Sequence, residues 1–244
     1  MLHFNVTCQF LIVYSYANLC LTTIVKTKSK QKMCCGSILK DDRTKLLRNR
    51  VAQEAALLLY TLQEKEYKQA KQRAAETVGV RLLPSNLEVV EELDRIAEET
   101  EGQKRRELLL RMRKEAKEVM EFLKMFSPRL VGSVWRGTAR KDSDIDIYVF
   151  FHDHQQVVQE LQKRNIIAKS SEWRSVTKGG LKEESFHFHA VLSSGDDIEV
   201  VVRNPDCIGK PERCEIYGDV KTGLTLIQLS KILQDNPLQK FVPI

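Results

Sequence analysis

The amino-acid sequence predicts an α+β fold: a helical N-terminal region followed by a mixed β-sheet flanked by helices. Three observations predict it. Between residues 44 and 126, apolar residues recur at three- and four-residue steps, the period of amphipathic helices. After Ser127-Pro128 the pattern changes to short apolar runs rich in β-branched residues, the most continuous at 145–151. Two short amphipathic segments, 154–164 and 224–234, punctuate and close these runs.

Leu46, Leu47, Val51, Ala55, Leu58 and Leu59, then Tyr60, Leu62, Tyr67, Ala70 and Ala74, read as one helical segment from 44 to 78, stopped at Gly79. Pro84-Ser85-Asn86 reads as a turn and N-cap, with Glu88 following. It opens a second helix over 86–100 through Leu87, Val90, Leu93, Ile96 and Ala97. Gly102 interrupts. A third helix over 103–126 carries Leu108, Leu109, Met112, Ala116, Val119, Leu123 and Phe126. Its basic residues (Lys104, Arg105, Arg106, Arg111, Arg113, Lys114, Lys117) interleave with Glu107, Glu115 and Glu118, which reads as a solvated, ion-paired face. Residues 129–131, 145–151, 166–177, 186–192 and 198–202 read as strands. Ser193-Ser194-Gly195-Asp196 joins the last two as a hairpin. The expected organisation is a leader over 1–32, a helical domain over 44–126, a mixed α/β domain over 127–205 and an extension over 206–244 with one short helix.

A hydrophobic content of 42% with 30% charged residues excludes a fibrous or wholly disordered chain. The net charge of +6 is unevenly placed. Residues 1–50 hold nine basic and two acidic side chains, so the remaining chain carries −1 and gives no bulk argument for a nucleic-acid partner. Six cysteines without a paired spacing read as reduced thiols, and a cytoplasmic setting follows. Cys207 and Cys214 read as ordinary thiols rather than a metal site. The stretch 10–25 is apolar but broken by polar residues and short of the about 20 residues a bilayer span needs. It reads as leader, with Met33 as the working start and no membrane association in the mature protein.

The chemistry concentrates in GSVWRGTARKDSDID, residues 132–146. Asp144 and Asp146 lie two apart at the start of a strand, so both carboxylates face one way while Ile145 and Ile147 face the core. Two like charges on one face call for a cation, and a hard divalent ion, Mg²⁺ or Mn²⁺, answers with oxygen coordination. Glu199, among the apolar residues of 197–202, is the expected third carboxylate and general base, with Asp197 as the fallback on the same face. Gly132 permits close backbone approach to a phosphate, and the Ser133 hydroxyl offers a hydrogen bond to it. Arg136, Arg140 and Lys141 supply charge for a triphosphate. His187 and His189 share a face between Phe186 and Phe188 and read first as a half-exposed strand surface. Trp135 and Trp173 read as core or rim packing rather than base-stacking platforms.

This stretch resembles the signature of the DNA polymerase β-like nucleotidyltransferase superfamily: Gly-Ser, ten residues, Asp-x-Asp. It is similar to the minimal nucleotidyltransferases, with Gly132, Ser133, Arg136, Gly137, Ser143, Asp144 and Asp146 in register. It is also similar to the archaeal-class CCA-adding enzymes, with which Thr138, Asp142, Ile145 and Ile147 are compatible. The resemblance covers about residues 129–203. It implies a nucleotidyltransferase-type sheet, metal binding by Asp144 and Asp146, and an NTP, ATP first, held at Gly132 and Ser133. Glu199 stands where the family usually has Asp. The CCA-enzyme-like run and the lysine-studded helices suggest an RNA acceptor. A protein hydroxyl and a non-catalytic nucleotide- or RNA-binding role are the alternatives.

Overall fold

The computed structural model describes residues 35–178 and 181–243. The chain divides into two units, 1–41 and 42–244. Of the first, only residues 35–41, the opening turns of a helix, are described, so the expected leader and the apolar 10–25 stretch lie outside the described residues. No helix among the described residues is long and apolar enough to cross a membrane.

The second unit begins with helices. After α1 (Cys35–Tyr60) come α2 (Tyr67–Val78), α3 (Asn86–Glu101) and α4 (Gln103–Phe122). The single helix expected over 44–78 is two. At its break Gln63 and Glu64 donate their amides back to the Leu58 carbonyl, and Leu62 takes a left-handed φ of 56°. The periodicity hides this break because both helices feed one core. Val51, Ala55, Leu59, Ala70, Ala74 and Leu93 are buried together, with alanines letting the backbones approach closely. Gly79 closes α2 at φ 75°, as its position suggests. Ser85 opens α3 with a reciprocal capping box to Glu88.

The remaining chain builds one six-stranded sheet in the order β3-β4-β5-β2-β1-β6. The strands are β1 (Arg129–Val131), β2 (Ile145–Phe150), β3 (Ala168–Lys178), β4 (Leu181–Val191), β5 (Asp197–Arg203) and β6 (Leu224–Thr225). Only β2 and β5 run parallel; the other neighbours are antiparallel. Helices α5 (Gly132–Arg136), α6 (His154–Gln162) and α7 (Leu226–Asp235) complete the unit. The helical turn of α5 and the short strand β6 are not visible in the sequence pattern.

Strand alternation divides the sheet. Ile145, Ile147 and Val149 of β2 and Ile198, Val200 and Val202 of β5 enter a core covered by α4, α6 and α7. Leu109, Met112, Ala116 and Met120 place α4 in this core, so its apolar stripe packs on the sheet while Arg105 and Arg106 tie it to α3. The opposite face of β2 and β5 is left for Asp146, Tyr148 and Glu199.

The basic face expected on α4 is only partly solvated. Arg105 and Arg113 are buried, 4% and 0% exposed. Both fall in phase with Leu109, Met112 and Ala116, so they enter the protein with that stripe. Arg113 donates to four backbone carbonyls, of Val134 (3.1 Å), Trp135 (2.9 Å), Pro237 (2.7 Å) and Gln239 (2.9 Å). Arg105 donates to the carbonyls of Ala139 (2.8 Å) and Thr138 (3.0 Å) and pairs with Asp94 and Glu98. Together they hold segment 134–139 from behind, and burial pulls the Arg113 pKa down to about 10.

Arg113→Met should therefore cost about 3 kcal/mol or more, because several buried carbonyls lose their donor at once. Urea denaturation checks this as a lowered midpoint. Arg113→Lys should recover less than half, since one ammonium cannot span four carbonyls. Wild-type stability in Arg113→Met contradicts the clamp.

Candidate active site

The site forms where β1 ends and β2 begins. Parallel pairing sets Asp146 directly beside Glu199, and Asp144 sits one step before β2. A carboxylate oxygen from each of Asp144, Asp146 and Glu199 lies within 4.8 Å of the others. Two adjacent parallel strands thus deliver three acids to one point. Asp197, two residues before Glu199 on β5, has Lys169 as its partner at 3.9 Å and is not one of the three.

Gly132 is required by this cluster. Its φ is +70°, and a Cβ built on it would stand 1.8 Å from Asp146 Oδ2. The expectation from sequence was room for a phosphate. The immediate reason is room for the carboxylate, which packs against the Gly132 backbone. Ser133 follows on α5 and lines the same cleft.

The electrostatics are adverse without a cation. Burial, followed by the charges of Asp144 and Glu199, pushes the Asp146 carboxyl well above the usual carboxylate range, with Lys221 opposing. Burial raises Asp144 too, and Glu199 and Asp197 add to the shift. An all-oxygen donor set with crowded negative charge suits Mg²⁺ or Mn²⁺. The residues present therefore fit a divalent ion held by Asp144, Asp146 and Glu199.

Behind Glu199 the β4 face presents nitrogen. His187 Nδ1 lies 2.7 Å and His189 Nε2 3.4 Å from Glu199 Oε1, with the Arg174 guanidinium at 3.8 Å. The two histidines are therefore drawn to the site and are not a plain strand surface. Phe186 and Phe188 face the core, as the alternation indicates.

A cleft of about 580 Å³ runs from the carboxylates to Tyr67, Leu93 and Ala97 of the helical bundle and to Tyr217. That volume lies within the roughly 300–1,000 Å³ of small-molecule pockets, and it pairs a charged end with an apolar, aromatic end. Burial lifts the Tyr67 hydroxyl to about 12, so it stays protonated there.

The three expected triphosphate cations separate. Arg140 lines the cleft, and its buried Nε has no hydrogen-bond partner. Arg136 does not present a free guanidinium. Buried to 3% exposure, it pairs with Asp219 at 2.6 Å, donates to the Phe241 carbonyl at 3.0 Å and lies against the Trp135 and Tyr217 rings. Lys141 sits over the Tyr60 ring, 5.2 Å from its centroid, and is not part of the cleft lining. Lys221, near Asp146, and Arg174, near Glu199, line the cleft without having been anticipated. Both lie outside the Gly-Ser and Asp-x-Asp segment, and only the sheet order brings them in.

Trp135 is buried, and Trp173 lies on β3 with its edge against His154 and Phe186. Cys207 and Cys214 are free thiols and belong to no metal-competent group among the described residues.

Divalent cation should stabilise the folded protein. A carboxyl with a raised folded-state pKa contributes stability below its unfolded pKa and loses it as pH rises through the folded value. The metal-free protein is thus most penalised at neutral and alkaline pH. Mn²⁺ at 100 times its Kd should add about 2.7 kcal/mol there, roughly 5–10 °C in melting temperature for a domain of this size. The increment should shrink as pH falls into the carboxylate range. Asp146→Asn should raise the metal-free melting temperature and lose the Mn²⁺ increment, and Gly132→Ala should lose the increment by displacing Asp146. Calorimetric melts across pH check all three. An increment unchanged by Asp146→Asn contradicts the site.

Comparison with known proteins agrees with this geometry. Residues 112–194 match the family described as nucleotidyltransferase domain. No curated protein sequence matches the chain. Eight solved chains match in structure. One of them, from the structure of the GLD-2/RNP-8 complex, is 16% identical over 43% of this chain and 34% of that chain, with a TM-score of 0.25. This chain thus spans about a third of that one, and a likeness of this size supports no argument of its own. The family match, the Gly-Ser turn against Asp146 and the three converging carboxylates agree: residues 112–194 form a nucleotidyltransferase domain of the DNA polymerase β-like kind.

Proposed function

We propose that this protein transfers a nucleoside monophosphate from an NTP, ATP first, to an acceptor hydroxyl and releases pyrophosphate. One observation carries the reading. Asp144, Asp146 and Glu199 converge beside Gly132-Ser133 at the charged end of a nucleotide-sized cleft. The acceptor oxygen bonds to the α-phosphorus as the bond to the bridging oxygen breaks, and the pyrophosphate leaves with that electron pair. Divalent ions bound at the three carboxylates supply charge neutralisation and activation of the hydroxyl. The chain's own groups do the positioning. Ser133 and Arg140 face the triphosphate end, Tyr67, Leu93 and Tyr217 the base end, and Glu199 is placed to accept the acceptor's proton. The free thiols Cys207 and Cys214 support the reducing, cytoplasmic setting proposed for it.

RNA is the acceptor suggested by the sequence. A protein hydroxyl is the second reading, favoured by one observation. Several of the helix cations that could grip a phosphate backbone are matched to acids: Arg73 to Glu64, Arg106 to Glu98, Arg111 to Asp196 and Lys117 to Glu121. Paired surface charge attracts a polyanion weakly.

Incubation with each labelled NTP, Mg²⁺ or Mn²⁺, and either total RNA or lysate protein separates these. Label should enter one acceptor class, with ATP preferred, and Asp144→Ala/Asp146→Ala should reduce incorporation at least 1,000-fold by analogy with other lost charge-stabilising groups (about 10²–10³ each). Label in RNA supports the first acceptor, label in protein the second. No incorporation that the double variant abolishes would overturn the enzymatic reading in favour of nucleotide binding alone.

A further inference from the structure

The Asp144–Asp146–Glu199 cluster has a neighbour that the Asp-x-Asp signature does not contain. On β4, Ser185 and His187 lie two residues apart and share a face, and β4 pairs His189 directly with Glu199. The His187 ring is held at both nitrogens. Nε2 meets Ser185 Oγ at 2.9 Å, and Nδ1 meets Glu199 Oε1 at 2.7 Å. A ring fixed at both ends cannot turn without losing both hydrogen bonds, so it fixes the plane of the carboxylate it touches. His187 and Glu199 side chains are 12% and 15% exposed, which limits competition from water. His189 at 3.4 Å and Arg174 at 3.8 Å stand on the same oxygen.

Glu199 thus stands between two sets of groups. Oε1 faces the imidazoles, and the carboxylate lies within 4.8 Å of oxygens of Asp144 and Asp146. An aspartate here would be shorter by one C–C bond, roughly 1.5 Å, too short to meet the triad and the histidine at once. The glutamate and the histidine therefore form one device.

We infer that His187, backed by Ser185, is a positioning residue that clamps one oxygen of Glu199 so that the other stays aimed at the Asp144–Asp146 pair. The inference rests on the nucleotidyl-transfer reading for its kinetic consequence and on geometry alone for its effect on cation binding. Groups that orient a metal-binding ligand typically change affinity or activity about 10–100-fold when removed.

The test compares wild type, His187→Ala, His187→Asn, Ser185→Ala, Glu199→Asp and the Glu199→Asp/His187→Ala double variant. Mn²⁺ titrations followed by electron paramagnetic resonance give affinity and stoichiometry without turnover, and thermal melts confirm folding. His187→Ala should weaken Mn²⁺ binding and lower kcat by about 10–100-fold, with KM for NTP within about twofold. His187→Asn, whose amide places a donor near the Nδ1 position, should recover most of both losses, and Ser185→Ala should fall between. Glu199→Asp should show a comparable loss, and adding His187→Ala to it should cost little more, because the contact is already broken. Wild-type Mn²⁺ affinity and kcat in a folded His187→Ala, or equal losses in His187→Ala and His187→Asn, would overturn the clamp. Loss of one bound Mn²⁺ from the stoichiometry would also overturn it, making His187 a direct ligand. If wild type turns over nothing, the nucleotidyl-transfer reading fails, while the Mn²⁺ affinities still decide the clamp.

Discussion

Crowded negative charge is the constraint on which the rest of this structure depends. Asp144, Asp146 and Glu199 approach within 4.8 Å on one sheet face, where burial and neighbouring charge oppose ionisation of the two aspartates. Such a cluster persists only if the surrounding fold holds it against that repulsion. Around it, the main features work to that end. The parallel β2–β5 pair fixes the register of Asp146 and Glu199. Gly132 opens the space Asp146 needs. Lys221 supplies counter-charge, and the β4 imidazoles set ring nitrogens against Glu199.

The support extends well behind the site. Arg105 and Arg113 spend buried guanidinium groups on the carbonyls of segment 134–139, the link between the Gly-Ser turn and the Asp-x-Asp strand. Through Pro237 and Gln239, Arg113 also ties the C-terminal tail to that link. Gly137 lets the tail pass, since a Cβ there would stand 2.7 Å from the Gln239 carbonyl oxygen. The helical bundle contributes differently. Tyr67, Leu93 and Ala97 wall the apolar end of the cleft, so the bundle shapes what enters it. Fold and chemistry are coupled through one helix, α4, which packs on the sheet and orders the segment that carries the signature.

What the residues disclosed in advance follows from where their causes lie. Gly132, Ser133, Asp144 and Asp146 are local in sequence, and strand alternation alone puts both aspartates on one face. Glu199 was legible as a charge stranded among valines. Ser85 and Gly79 were legible because capping chemistry is local. The break at 61–66 was not, since α1 and α2 face one core and keep a common apolar rhythm across it. Arg105 and Arg113 were legible in principle, being in phase with Leu109, Met112 and Ala116, but their carbonyl partners are long-range. Arg136 reads as a triphosphate ligand in the sequence because it lies between Gly132-Ser133 and the Asp-x-Asp pair, and Asp219, far along the chain, claims it. His187 and His189 were seen to share a face, but only the β4–β5 register reveals that the face looks at Glu199.

The central claim is that the three carboxylates tolerate one another because a divalent cation sits among them. Anomalous diffraction from crystals grown with Mn²⁺ and a non-hydrolysable NTP analogue tests it most directly. The account predicts a Mn²⁺ peak coordinated by Asp144 and Asp146 oxygens at roughly 2.0–2.2 Å, with the triphosphate against Ser133 and the base toward Tyr67. Nucleotide or solvent in the cleft with no anomalous peak among the three acids would contradict it.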